Sequence, residues 1–208
     1  MRYLSLDLET SGPDPLRHQV LELAVVVEDT RRPLPLPELP SFRRLLRHPE
    51  ISGTAGALAL NARLLAELAA AGEKGAPTPP DHCAPADVLP QLREFLLTQG
   101  FRPDAKGRVR FIMAGKNVAS YDLLFLRQLP GWGSLVRSEP ATLDPAAFYL
   151  NWHKDSRLPS LSICKARAQL ADTDVAHEAL ADALDVVRLL RPFYQFPVYQ
   201  RAREAEGG

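Results

Sequence analysis

The 208-residue chain is long enough for one domain of ordinary to large size with a substantial core. Hydrophobic residues make up 46% and charged residues 24%, and no apolar run reaches the roughly 18 residues of a membrane span. With 25 basic and 25 acidic residues the net charge is zero, and the N-terminus lacks the basic-then-apolar pattern of a secretory signal. Cys83 and Cys164 are isolated, which fits thiols in a reducing cytoplasm better than a disulfide framework.

Residues 3–8 and 20–28 are rich in Leu and Val and read as strands. Between them, Gly12, Pro13 and Pro15 break the chain. Residues 30–40 carry four prolines and read as an exposed turn or small insertion. Residues 42–46 supply a third strand, which completes an antiparallel meander. The Ala- and Leu-rich stretch 55–71 predicts one helix or two short ones, and the Pro- and Gly-bearing stretch 72–85 a loop. Val88, Leu89, Leu92, Phe95 and Leu96 have helical spacing within 86–99.

Residues 109–114 read as a buried strand and 121–129 as the next helix. Residues 141–144 suggest a short strand, with a helix starting at Pro145. A further helix over 158–170 begins around Pro159 and Ser160. A long helix over 177–194 closes the order. Three strands followed by alternating helices and strands predict an α/β domain with a mixed sheet of about five strands, spanning 1–195, with 196–208 as a short tail.

Acidic residues recur at three separated places. Asp7 and Glu9 end the first strand, and residues two apart on a strand point to one face, roughly 6.5–7 Å apart along the chain. Leu6 and Leu8 then face the core. Two hard carboxylates at that spacing suit Mg²⁺ or Mn²⁺. Taken alone, the pair reads first as two solvated acids at a strand end, and Thr10-Ser11-Gly12 after it as a plain turn or as a hydroxyl and backbone amides that could hold a ligand.

Asp122 follows the strand at 109–114 and opens a helix. In isolation it reads as a first-turn acid complementing the helix dipole, with Asn117 or Ser120 as cap. Gly115-Lys116 is no phosphate-binding loop, because Arg110 stands where glycine is required and Asn117 where Ser or Thr is required.

His177 and Asp182 are five apart, about 140° around a helix, so a shared site needs His177 on the loop or first turn, begun near Thr173 or Asp174. If the whole segment were helical, Glu178 and Asp182 would share a face instead.

Asp7-Leu8-Glu9-Thr10, Asn117 through Asp122 with the following Leu-Leu-Phe-Leu, and His177-Glu178-Ala179-Leu180-Ala181-Asp182 together resemble the three motifs of the DEDDh family of 3′→5′ exonucleases. The resemblance runs from about residue 3 to 190. Lys116 stands where the family often has His before the asparagine. Glu178 occupies the position where a related branch has Tyr, which indicates the histidine branch.

The resemblance implies an RNase H-like fold and two Mg²⁺ or Mn²⁺ ions held by Asp7, Glu9, Asp122 and Asp182. It implies His177 as general base, with Leu8 and Thr10 under the 3′-terminal sugar. Its substrates are 3′ ends of single-stranded DNA or RNA, and a homodimer or a polymerase partner is compatible with it. The balanced charge fits too, since bound cations cancel acidic charge and a short 3′ end needs few phosphate contacts.

The stretch 57–61 reads first as a helix packing Leu58 and Leu60 in the core, and otherwise as a cover bringing Asn61 to a sugar or base. Arg43, Arg44 and Arg47, and separately Arg102, Lys106, Arg108 and Arg110, read as solvated charge or phosphate contacts. Asp144, Asp172 and Asp174 read as turn and cap residues. Two other classes compete with an active exonuclease. One is a catalytically weak or inactive exonuclease-like module that binds nucleic acid or a polymerase, against which the full set of five site residues speaks. The other is a phosphohydrolase of small phosphates or an endonuclease.

Overall fold

The computed structural model describes residues 1–71, 79–170 and 178–195. Its strands are β1 (Arg2–Thr10), β2 (Val20–Asp29), β3 (Ser41–Leu46), β4 (His82–Cys83), β5 (Val109–Ala114) and β6 (Val136–Leu143). They form one sheet in the order β4-β3-β2-β1-β5-β6. The first three make the antiparallel meander, while β5 runs parallel to β1, β6 parallel to β5 and β4 parallel to β3. The helices are α1 (Ala55–Leu60), α2 (Ala62–Ala71), α3 (Pro85–Thr98), α4 (Asp122–Leu126), α5 (Pro145–Phe148), α6 (Leu161–Arg167), α7 (Ala179–Leu190) and α8 (Pro192–Gln195). A 3₁₀ turn, Leu36–Glu38, lies in the Pro-rich segment after β2.

This is the expected mixed α/β architecture, with one more strand. The addition, His82–Cys83, falls in the stretch read as a loop. Two residues carry no period that a sequence can display, and they pair with Leu45 and Leu46 only after long-range folding.

The central strand β1 is covered on both faces, which explains its nearly continuous apolar run. Leu4, Leu6 and Leu8 enter one core with Val88, Leu89 and Leu92 of α3 and Phe125 of α4. On the opposite face Tyr3 packs with Val186, Val187 and Leu190 of α7. Burying each such side chain stabilises the fold by about 1.5–3 kcal/mol. The Ser5 hydroxyl donates to the carbonyl of Ala183 at 2.6 Å, so α7 is fixed along β1.

The β1–β5 pairing covers only Tyr3 to Ser5, opposite Ile112 to Ala114. β5 ends there, and Gly115 after it passes so close to β1 that a Cβ would lie 2.7 Å from the carbonyl oxygen of Leu6. On the other side of β1 the register slips between Glu9 and Thr10, an irregularity that re-aims the strand end.

Candidate active site and metal centre

Asp7 and Glu9 project from β1 toward α7, whose first turn carries Asp182. One carboxylate oxygen from each of these three lies within 4.8 Å of the others. Glu9 and Asp182 are buried and Asp7 is half-buried. Burial, followed by repulsion from Asp122, Asp182 and Glu9, pushes the Asp7 carboxyl well above the usual range. Glu9 is pushed to about 7 by burial and by its neighbours Glu22 and Asp182, against an opposing hydrogen bond from Asn61. Like charges crowded in low dielectric are what a divalent cation would neutralise, and an all-oxygen donor set suits Mg²⁺ or Mn²⁺. The residues fit the ions.

Asp122 reaches β1 beyond the end of its pairing with β5. Its Oδ1 accepts from the backbone N–H of Leu8 at 3.1 Å, a donor that strand pairing has left available. Burial raises its carboxyl to about 7. Asp122 stands in the first turn of α4 as expected, but neither Asn117 nor Ser120 caps it, since the N-cap is Tyr121 and no side chain caps the helix. Asn117 instead shapes the loop. It adopts the left-handed conformation that asparagine tolerates (φ 59°), donates its N–H to Asp144 at 2.9 Å and accepts from the N–H groups of Ser120 and Tyr121. Asp144 is a cap as expected, accepting from Ala146 N at the start of α5.

A cleft of about 380 Å³ opens over the three carboxylates, lined also by Leu8, Thr10, Leu60, Asn61 and Tyr121. The core reading of α1 fails. None of its residues is buried, and Leu60 is 55% exposed. The cause is the anchoring of the α1 N-terminus on the first motif. Thr54 N–H donates to Ser11 O at 2.9 Å, and Gly53 sits so close that a Cβ would be 2.3 Å from that oxygen. Held there, the helix covers the cleft and buries Asn61, whose amide donates to Thr10 O at 3.3 Å. The Asn61 Oδ1 is buried without a hydrogen-bond partner.

No family model and no curated protein sequence matches the chain, whereas solved structures do. The nuclease domain of 3′hExo, a DEDDh family member, bound to rAMP, aligns with a TM-score of 0.65 at 13% identity, covering 95% of this chain and 94% of that one. The chain has the fold of the DEDDh exonucleases. A full-length 3′-exonuclease aligns with a TM-score of 0.62 at 13% identity over 93% of this chain. Exonuclease I from Methylocaldum szegediense gives 0.57 at 17% identity over 94%. This chain spans 60% and 41% of the lengths of those two proteins.

Within the DEDDh-type fold the four predicted carboxylates converge, three as one cluster and Asp122 beside Leu8. His177, Thr173, Asp172 and Asp174 lie outside the described residues, as do 72–78 and the predicted tail. α7 starts at Ala179, with Glu178 at its N-cap, so Glu178 and Asp182 do not share a helical face. The Glu178 carboxylate pairs with Arg63. Among the basic clusters, Arg43 binds Glu22 and Asp81, Arg44 binds Gln91, Arg108 binds Asp104 and Arg110 binds Glu139.

Two residues of the site escaped sequence reading. The Tyr121 hydroxyl lies 2.6 Å from that of Thr10, and the ring lines the cleft. Glu22 is the cross-strand neighbour of Glu9 and almost fully buried. Its Oε1 takes Arg43, and its Oε2 accepts from Ala179 N at 3.3 Å. The first N–H of α7 is thereby tied to β2, three residues before Asp182. A buried acid inside an apolar strand was the available signal for Glu22. For Tyr121 there was none.

Proposed function

We propose that the chain is a divalent-metal-dependent 3′→5′ exonuclease that removes nucleoside 5′-monophosphates from single-stranded DNA or RNA, with residues 1–195 as one catalytic unit. The observation that carries this reading is the convergence of Asp7, Glu9 and Asp182 within 4.8 Å at the floor of a cleft roofed by Leu60 and Asn61. The likeness to nuclease domains of the same fold supports it, one of them solved with rAMP bound.

Asp7, Glu9 and Asp182 would hold one ion, and Asp7 with Asp122 a second. When bound, such ions neutralise the phosphate and ease deprotonation of water. His177 takes the proton from the attacking water, and a histidine near its ordinary pKa of about 6.5 suits that task at neutral pH. The bond between phosphorus and the 3′ oxygen breaks. The terminal nucleotide leaves with its 5′ phosphate, and the shortened strand keeps a 3′ hydroxyl. Leu8 and Thr10 lie under the terminal sugar, and Asn61 meets the sugar or base from above.

The test uses 5′-labelled single-stranded DNA and RNA oligomers with Mg²⁺ or Mn²⁺, beside Asp7→Ala. Stepwise shortening that vanishes with chelator and in the variant is expected. A folded wild type that leaves both polymers intact would overturn the reading and favour a binding module.

A further inference from the structure

A second cavity lies on the same edge of the sheet as the carboxylates. β1, β5 and β6 run parallel, so their C-terminal ends open together. The acidic cluster stands at the end of β1. The second cavity, about 680 Å³, is built from the segments that follow β5 and β6, including Lys116, Asn117, Lys154, Ser156, Arg157 and Ser160. One short loop joins the two. Asn117 borders the basic cavity, and Tyr121, four residues on, borders the catalytic cleft.

The charge in this cavity is unevenly committed. Lys116 is drawn toward Asp144, at 3.8 Å. Asp155, the acid among the lining residues, is gripped by Arg167, with Nη2 to Oδ1 at 2.7 Å, and also accepts from Asn151 N. Lys154 and Arg157 are exposed and make no ion pair among the described residues. Just before them in the chain Trp152 is 84% exposed, an unusual state for the largest aromatic side chain. Uncommitted cations close in the chain to an exposed aromatic side chain are the combination that binds a single strand, the cations taking phosphates and the ring stacking on a base.

We propose that this groove is the track for the strand upstream of the 3′-terminal nucleotide, with Lys154 and Arg157 on its phosphates and Trp152 stacked on an upstream base. The inference rests on the nuclease reading and adds to it where the rest of the substrate lies. It also gives an electrically neutral chain a local patch of positive charge, from Lys116, Lys154 and Arg157, on the edge of the sheet that carries the acidic site.

The experiment compares wild type with the double variant Lys154→Gln/Arg157→Gln and with Trp152→Ala. Each is given single-stranded substrates from a dinucleotide upward, over a range of salt. For the double variant, kcat/KM should fall roughly five- to tenfold on long oligomers and progressively less as the substrate shortens. Its dependence of log affinity on log salt should flatten by about 1.4, from roughly 0.7 per lost phosphate contact. Trp152→Ala should weaken long oligomers by roughly fivefold or more without changing that slope. Equal losses at every length, or an unchanged salt slope in the double variant, would overturn the track while leaving the nuclease reading intact. A wild type that shortens no substrate would overturn both.

Discussion

At the scale of single residues, the site gathers groups that repel one another. Asp7, Glu9 and Asp182 face each other, with Asp122 and Glu22 close behind, and burial removes the water that would screen them. Folding tolerates this because other residues take up part of the charge: Leu8 N–H on Asp122, and Arg43 and Ala179 N–H on Glu22. Spacing alone left Asp7 and Glu9 open to reading as solvated acids; the carboxylates were legible because each stands in a short local motif and the three motifs together resemble those of a nuclease family. Tyr121 and Glu22 were not, because their roles arise from cross-strand register and loop packing that no window of sequence contains. His177 is the proposed base, and its replacement separates proton transfer from metal holding. His177→Ala should lower turnover by roughly 10²- to 10⁴-fold while the stabilisation by Mn²⁺ in thermal unfolding persists. Turnover within a few-fold of wild type would remove His177 from the mechanism.

At the scale of elements, the site depends on how strands end. β1 is paired on one side along its length and on the other for three residues only, so its C-terminal half is open to a side chain from α4. Strands β1, β2, β3 and β5 and the long helices were readable from apolar periodicity, and of β6 only its end, since it starts at Val136 and not at residue 141. The two-residue β4 and the exposed α1 were not. α1 has the composition of a core helix, but the contacts of Thr54 and Gly53 with Ser11 place it over the cleft instead. α7 is positioned from both sides, by Ser5 on Ala183 and by Glu22 on its first N–H. Glu22→Ala should therefore cost about 1–3 kcal/mol in chemical denaturation, by leaving the buried Ala179 N–H without its acceptor and taking from Arg43 one of its carboxylate partners. It should also lower kcat more than it raises KM, because Asp182 loses its anchor. Unchanged stability together with unchanged kcat would show that this contact positions nothing.

At the scale of the whole molecule, protons and metal ions compete for the same carboxylates. Glu9 and Asp122 titrate near 7 in the folded chain, Asp7 is raised as well, and unfolded carboxyls titrate near about 4. The folded state thus binds more protons than the unfolded state between about 4 and 7, and the metal-free protein loses stability as pH rises through that window. Asp104 and Asp155, held at about 2 by hydrogen bonds from Arg108 and Arg167, act in the opposite sense and below it. A divalent cation needs the ionised carboxylates, so its stabilising effect should grow as pH rises. The melting temperature without metal should fall between about pH 5 and 7.5, and the upward shift caused by Mn²⁺ should be larger at the higher value. A shift independent of pH would place the ion elsewhere.

The proposed reaction is hydrolysis of the terminal phosphodiester bond by water, with the phosphate leaving on the terminal nucleotide. Mass spectrometry of the products formed in water labelled with heavy oxygen tests it most directly. Nucleoside 5′-monophosphates released from the 3′ end, each carrying one heavy oxygen on phosphorus, are the predicted result. Internal fragments, 3′-phosphorylated products or unlabelled monophosphates would contradict it.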